Sequence, residues 1–77
     1  MEEFIEYIAK RIVDHPESVS IETRTSNENK TIISLRVHAD DVGKVIGKKG
    51  KTAEAMRTLL SAIASKDRQR AILEILD

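Results

Sequence analysis

Seventy-seven residues, 40% hydrophobic and 34% charged, bound one small globular domain and exclude a disordered chain. With no cysteine there are no disulfides, thiolate metal sites or cysteine nucleophiles, which suits a cytoplasmic setting. Net charge is zero but unevenly spread: residues 1–43 hold five basic and nine acidic side chains, whereas residues 44–70 hold eight basic and two acidic, so a polyanion would be steered to the second segment.

The start, Met1-Glu2-Glu3-Phe4, is acidic where a signal peptide is basic, and no apolar run approaches the roughly 20 residues that span a bilayer. Residues 2–13 carry Phe4, Ile5, Ile8, Ile12 and Val13 at the spacing of one helical face. His15-Pro16 ends that helix, because the residue before proline avoids the helical region. Val19, Ile21 and Thr23 alternate with Ser18, Ser20 and Glu22, and Ile33, Leu35 and Val37 alternate with Ser34, Arg36 and His38. Joined by the polar turn Ser26-Asn27-Glu28-Asn29, these runs predict a β-hairpin.

Asp40 is placed to cap a short helix over residues 41–46, which Gly47-Lys48-Lys49-Gly50 interrupts. A second helix follows from Lys51 to Ser65, with Thr52, Ala55, Met56, Leu59, Leu60 and Ile63 predicted on its buried face. Lys66-Asp67-Arg68 turns the chain into a last strand with Ala71, Leu73 and Ile75 inward. The order is α-β-β-α-α-β, an α+β fold. The hairpin is antiparallel, and the helical crossover makes the second and last strands parallel. This gives a three-stranded mixed sheet with three helices on one face, as a single domain over residues 1–77.

Within Val45-Ile46-Gly47-Lys48-Lys49-Gly50-Lys51-Thr52 two chemistries compete. The final Gly-Lys-Thr has the form of a Walker A ending. That loop needs a glycine five positions before Gly50, where Val45 stands, and a buried strand before it, where two aspartates open a helical turn. The other reading is a backbone clamp for single-stranded nucleic acid. Gly47 and Gly50 lack Cβ and admit a phosphodiester closely. The helix beginning at Lys51 offers unpaired amides and a positive dipole end. Lys48 and Lys49, with Lys44 and Lys51 beside them, supply charge.

With its apolar pair before GxxG, helices on both sides and this element order, the chain resembles the KH domain in its type II form. Over its whole length it is similar to the KhpA family of small stand-alone bacterial KH proteins. The resemblance implies single-stranded RNA binding, an RNA chaperone's role without enzymatic activity or cofactor, and homodimers. It also implies a heterocomplex with a second KH protein, KhpB, and links to cell-wall homeostasis and cell length. A GxxG loop clamps about four nucleotides. By the same resemblance Val42, Val45 and Ile46 line the helical side of the groove, and Ile33 and Leu35 lie near a strand side formed by the middle strand. Core packing is the better account of Leu35 and Ile46. Ala53 stands where many KH domains have a large aliphatic residue, which predicts a shallower groove.

Both aromatics, Phe4 and Tyr7, lie on the first helix, which excludes a stacking platform near the loop. His15 and His38 are read as isolated, with no metal or catalytic role. Two surfaces are candidates for self-association: the second long helix through Ala53, Arg57 and Ser61, and the sheet face through Ile32, Ile72 and Leu76. A module that only binds protein is the alternative, which the loop lysines disfavour.

Overall fold

The computed structural model describes residues 1–26 and 28–76. The order is α1 (Glu2–Ile12), β1 (Ser20–Thr25), β2 (Lys30–Arg36), α2 (Val42–Ile46), α3 (Lys51–Lys66) and β3 (Arg70–Leu76), with short 3-10 turns before β1, before α2 and between α2 and α3. Glu2 and Glu3 in the first turn of α1, and Lys10 and Arg11 in its last, complement the helix dipole. The helix buries Ile5 and Ala9. Val13, turned inward by an extended backbone, takes the place in the core that the periodicity also offered to Ile12, which is left exposed. Pro16 opens a 3-10 turn through Ser18, so the first ladder begins at Ser20, two residues later than the alternation suggested.

In the sheet, β1 pairs antiparallel with β2, setting Ile21 opposite Leu35 and Thr23 opposite Ile33. β3 pairs parallel with β2, setting Leu73 beside Ile33 and Ile75 beside Leu35. The order is β1-β2-β3, with β2 central. The intervening turn includes Asn27, which lies outside the described residues. One face of the sheet meets the helices in a core built on Ile5, Ile33, Leu35, Val45, Met56 and Leu60. On the other face Arg24 reaches Glu74 at 2.9 Å, and Ser34 Oγ donates to the same carboxylate oxygen at 3.0 Å. That bridge covers Ser34 although it points away from the helices.

The buried stripe of α3 differs from the sequence expectation. It is Ala53, Met56, Leu60 and Ala64, while Ala55 and Leu59 are exposed and Thr52 and Ile63 half-buried. A pattern weighted toward the larger leucines and isoleucines turns the predicted face around the helix. Ala53 therefore belongs to the core, not to an exposed association surface with Arg57 and Ser61.

Candidate nucleic-acid interface

The loop between α2 and α3 is a single 3-10 turn, Lys48–Gly50, between two glycines in positive-φ backbone. Gly47 (φ 79°, ψ 171°) ends α2, and its carbonyl accepts the Gly50 N–H at 3.0 Å. A Cβ on Gly47 would fall 2.2 Å from Oγ1 of Thr52, whereas a Cβ on Gly50 would meet open space. Gly50 (φ 74°, ψ 12°) is the N-cap of α3 and brings no capping side chain; the Lys51 N–H is taken by the Lys48 carbonyl, and no side chain caps the amides that follow it. Lys49 also adopts a positive φ, 55°, which is uncommon for a residue other than glycine.

Lys48, Lys49 and Lys51 are exposed. Lys51 stands 4.0 Å from Glu54, and among the described residues no carboxylate pairs with Lys48 or Lys49. Lys44 has a partner of its own. It hydrogen-bonds Asp14 just beyond α1, and that bond holds its pKa above the ordinary lysine value.

The turn into α2 is not opened by Asp40 acting as a cap. His38 Nδ1 accepts the Asp40 N–H at 3.0 Å, and Asp41 is the residue that directly precedes α2. The Asp41 carboxylate is fully buried and turns inward, where Oδ2 accepts the His15 backbone N–H at 2.9 Å and bonds the His15 ring Nδ1 at 3.0 Å. Burial pushes the Asp41 carboxyl upward, but hydrogen bonds from His15 and from the Asp14 backbone outweigh it and hold the group below its usual range. The same contact raises the His15 pKa, against a smaller opposing effect of burial. The two histidines are not isolated. Their rings stack at 4.0 Å between centroids and 15° between planes, because the end of α1 and the end of β2 reach the same place. No pattern in the sequence connects these two positions. The only hint is that each sits at the end of an element.

Beside the loop, Ile46 is 39% exposed, Val42 half-buried and Val45 wholly buried. Ile46 is thus a surface residue and not a core one, while Val45 supports the loop from beneath. Ile33 and Leu35 have no accessible surface, and β2 is paired on both sides, so it cannot supply the strand edge of a groove. The strand with a free edge next to α2 and α3 is β3. A cleft of about 400 Å³ runs between α3 and the start of β3, lined by Lys30, Ser61, Ser65, Gln69 and Arg70 among others. Lys30 and Arg70 are paired positions on adjacent strands. Ala53, packed in the core, does not floor an open groove. The only aromatic side chains stay on α1, where Tyr7 carries the Arg11 guanidinium 5.5 Å from its ring centre. No helix among the described residues is long and apolar enough to cross a membrane.

A family model described as "KhpA/KhpB, KH domain" matches residues 2–75. The chain is similar to proteins named RNA-binding protein KhpA from several bacteria. The relative from Treponema pallidum is 51% identical over 76 residues, covering 99% of this chain and 94% of that protein. The one from Borreliella burgdorferi is 48% identical over 75 residues, covering 97% and 90%. The one from Halalkalibacterium halodurans is 43% identical over 77 residues and covers both chains fully. No solved structure gives a match.

Proposed function

Since this chain belongs to the KhpA/KhpB family of KH-domain proteins, which is not an enzyme family, we propose that it binds single-stranded RNA through the backbone at Gly47-Lys48-Lys49-Gly50. One observation carries the reading. Two positive-φ glycines flank a turn whose lysines have no acidic partner among the described residues, directly in front of a 16-residue helix with an uncapped N-terminus. Donors, dipole and mobile charge converge there on one phosphodiester stretch. Lys51 and the exposed Ile46 complete the contact, and Val42 lies beside it. Lys44 contributes less, because it must first leave Asp14. The bases lie toward β3, and the cationic positions Lys30 and Arg70 extend the path for a longer strand. Without an aromatic platform, base discrimination is modest. As a family member the chain acts as an RNA chaperone in the cytoplasm, paired with itself or with a KhpB-like protein, in the control of cell wall and cell length.

The test is Lys48→Asp combined with Lys49→Asp, measured by fluorescence polarisation on single-stranded RNA. Both side chains are exposed, so the melting curve should be unchanged while affinity falls by about tenfold or more. Three or four phosphates neutralised on a single strand give a slope of log K against log salt of about −2 to −3, and the double variant should lose part of it. Wild-type affinity in the variant, or a flat salt response, would remove this loop as the binding site.

A further inference from the structure

Where α1 gives way to the turn before β1, His15, His38 and Asp40 each present a ligand atom, all within 4.8 Å of one another. The three differ in how they are held. His15 is fixed twice to Asp41, through its backbone N–H and through its ring. An ionised carboxylate only accepts, so Nδ1 of His15 carries the hydrogen and Nε2 is left with the free lone pair. An imidazole backed by a carboxylate in this way is the arrangement that orients metal-binding histidines and raises their basicity. Asp41 is buried, and its Oδ1 has no hydrogen-bond partner among the described residues. His38 Nδ1 stands 3.7 Å from Asp40 Oδ2. A tetrahedral ion with nitrogen and oxygen ligands at about 2.0–2.2 Å holds them about 3.4 Å apart, so the His38 ring and the Asp40 carboxylate lie close to that separation while the Nδ1 lone pair still takes the Asp40 N–H. Asp41, Glu17 and Asp40 also act on His15 through space, and the nearby cation Lys44 is held by Asp14.

We propose that His15, His38 and Asp40 form a binding site for a divalent transition-metal ion of the zinc type, with Asp41 orienting His15 from behind and water completing the shell. Imidazole with one carboxylate suits zinc, nickel or copper better than magnesium or calcium. The stacked rings do not both aim in-plane lone pairs at one point. The half-exposed His38 therefore turns and exchanges the Asp40 N–H bond for the metal, while His15 stays where Asp41 holds it. Metal bound this way ties the end of α1 to the turn that leads into α2 and the GKKG loop. The site is independent of the RNA reading.

Tag-free protein titrated with zinc by calorimetry, and by NMR of the imidazole nitrogens, tests this. One ion per chain should bind, with shifts confined to the two imidazoles and the backbone near residues 14–17 and 38–41. Cobalt(II) in place of zinc should give the intense visible absorption of a tetrahedral site, and excess magnesium should not displace it. His38→Ala and Asp40→Asn, both outside the core, should keep the wild-type circular dichroism and each weaken zinc by about tenfold or more. No saturation up to about millimolar zinc would overturn the site. So would wild-type zinc affinity in either variant, or an octahedral cobalt spectrum with shifts spread over surface carboxylates.

Discussion

Alanine at position 47 would set its Cβ 2.2 Å from Thr52 Oγ1 in a backbone conformation that L residues rarely adopt, whereas at position 50 only the conformation resists. The two glycines of one motif thus answer different constraints. A left-handed non-glycine residue costs about 1–2 kcal/mol. Overpacking adds about 1–3 kcal/mol. Gly47→Ala should therefore lower the unfolding free energy by about 2–5 kcal/mol and Gly50→Ala by about 1–2 kcal/mol in urea titrations. Equal losses would show that Thr52 yields and that the contact sets nothing. The need for glycine at both positions is legible from the motif's chemistry. The role of Thr52 is not, since the sequence gives no sign that its side chain packs back over the preceding loop. Ala53 makes the same point in the opposite direction. Resemblance sets it on the groove, but the stripe it shares with Met56, Leu60 and Ala64 carries it into the core.

Between elements, the pin formed by His15 and Asp41 joins the end of α1 to the turn before α2. Both groups have shifted pKa values, and the signs decide how stability responds to pH. His15 is raised, so its contribution is fully present below its unfolded pKa, about 6.5, and is lost as pH rises through the higher folded value. Asp41 is lowered, so its contribution is present above its unfolded pKa, about 3.9, and is lost as pH falls through the lower folded value. In chelator-treated protein the melting temperature should be highest between about pH 4 and 6.5 and decline above that window. His15→Gln should flatten the alkaline decline. A wild-type decline that survives the substitution would move the cause to another group. Hairpin, helices and their order were legible because each rests on local periodicity. The histidine pair was not, because 23 positions separate its members and their meeting depends on two turns at once. The inward face of α3 was read only in part, at Met56 and Leu60, for a related reason. Alanines carry little weight in an apolar pattern, yet Ala53 and Ala64 are buried.

At the scale of the whole molecule, the antiparallel and parallel pairings of the sheet were readable from connection lengths. Their consequence was not drawn from the sequence: a strand bonded on both sides leaves β3 as the edge beside α2 and α3. One such domain grips about four nucleotides. That is too few to select a transcript, and a clamp without aromatic anchors should bind at about micromolar strength or weaker. Two domains held together make the second contact intramolecular and raise avidity without any new chemistry. Of the exposed aliphatic side chains among the described residues, one on α3 and one on β3 are the candidates for such pairing. Leu59 on α3 is 48% exposed, with the small residues Ala55 and Ala62 exposed on the neighbouring outer turns. Ile72 on β3 is 39% exposed but sits among Arg70, Glu74 and Arg24, whose charges would lose water in an interface. Close approach of two helices favours small residues around one large anchor, so α3 is the better surface. With Ala53 in the core, a charge there would test folding and not association. Leu59→Asp is the informative change, with Ile72→Asp as its control. Sedimentation equilibrium at about tens of micromolar should find a dimer in the wild type and in Ile72→Asp, and a folded monomer in Leu59→Asp. The Leu59→Asp protein should keep its affinity for a four-nucleotide RNA and lose about tenfold or more on a strand long enough to reach two grooves. A wild type that stays monomeric and gains nothing from the longer strand would leave a single clamp acting alone.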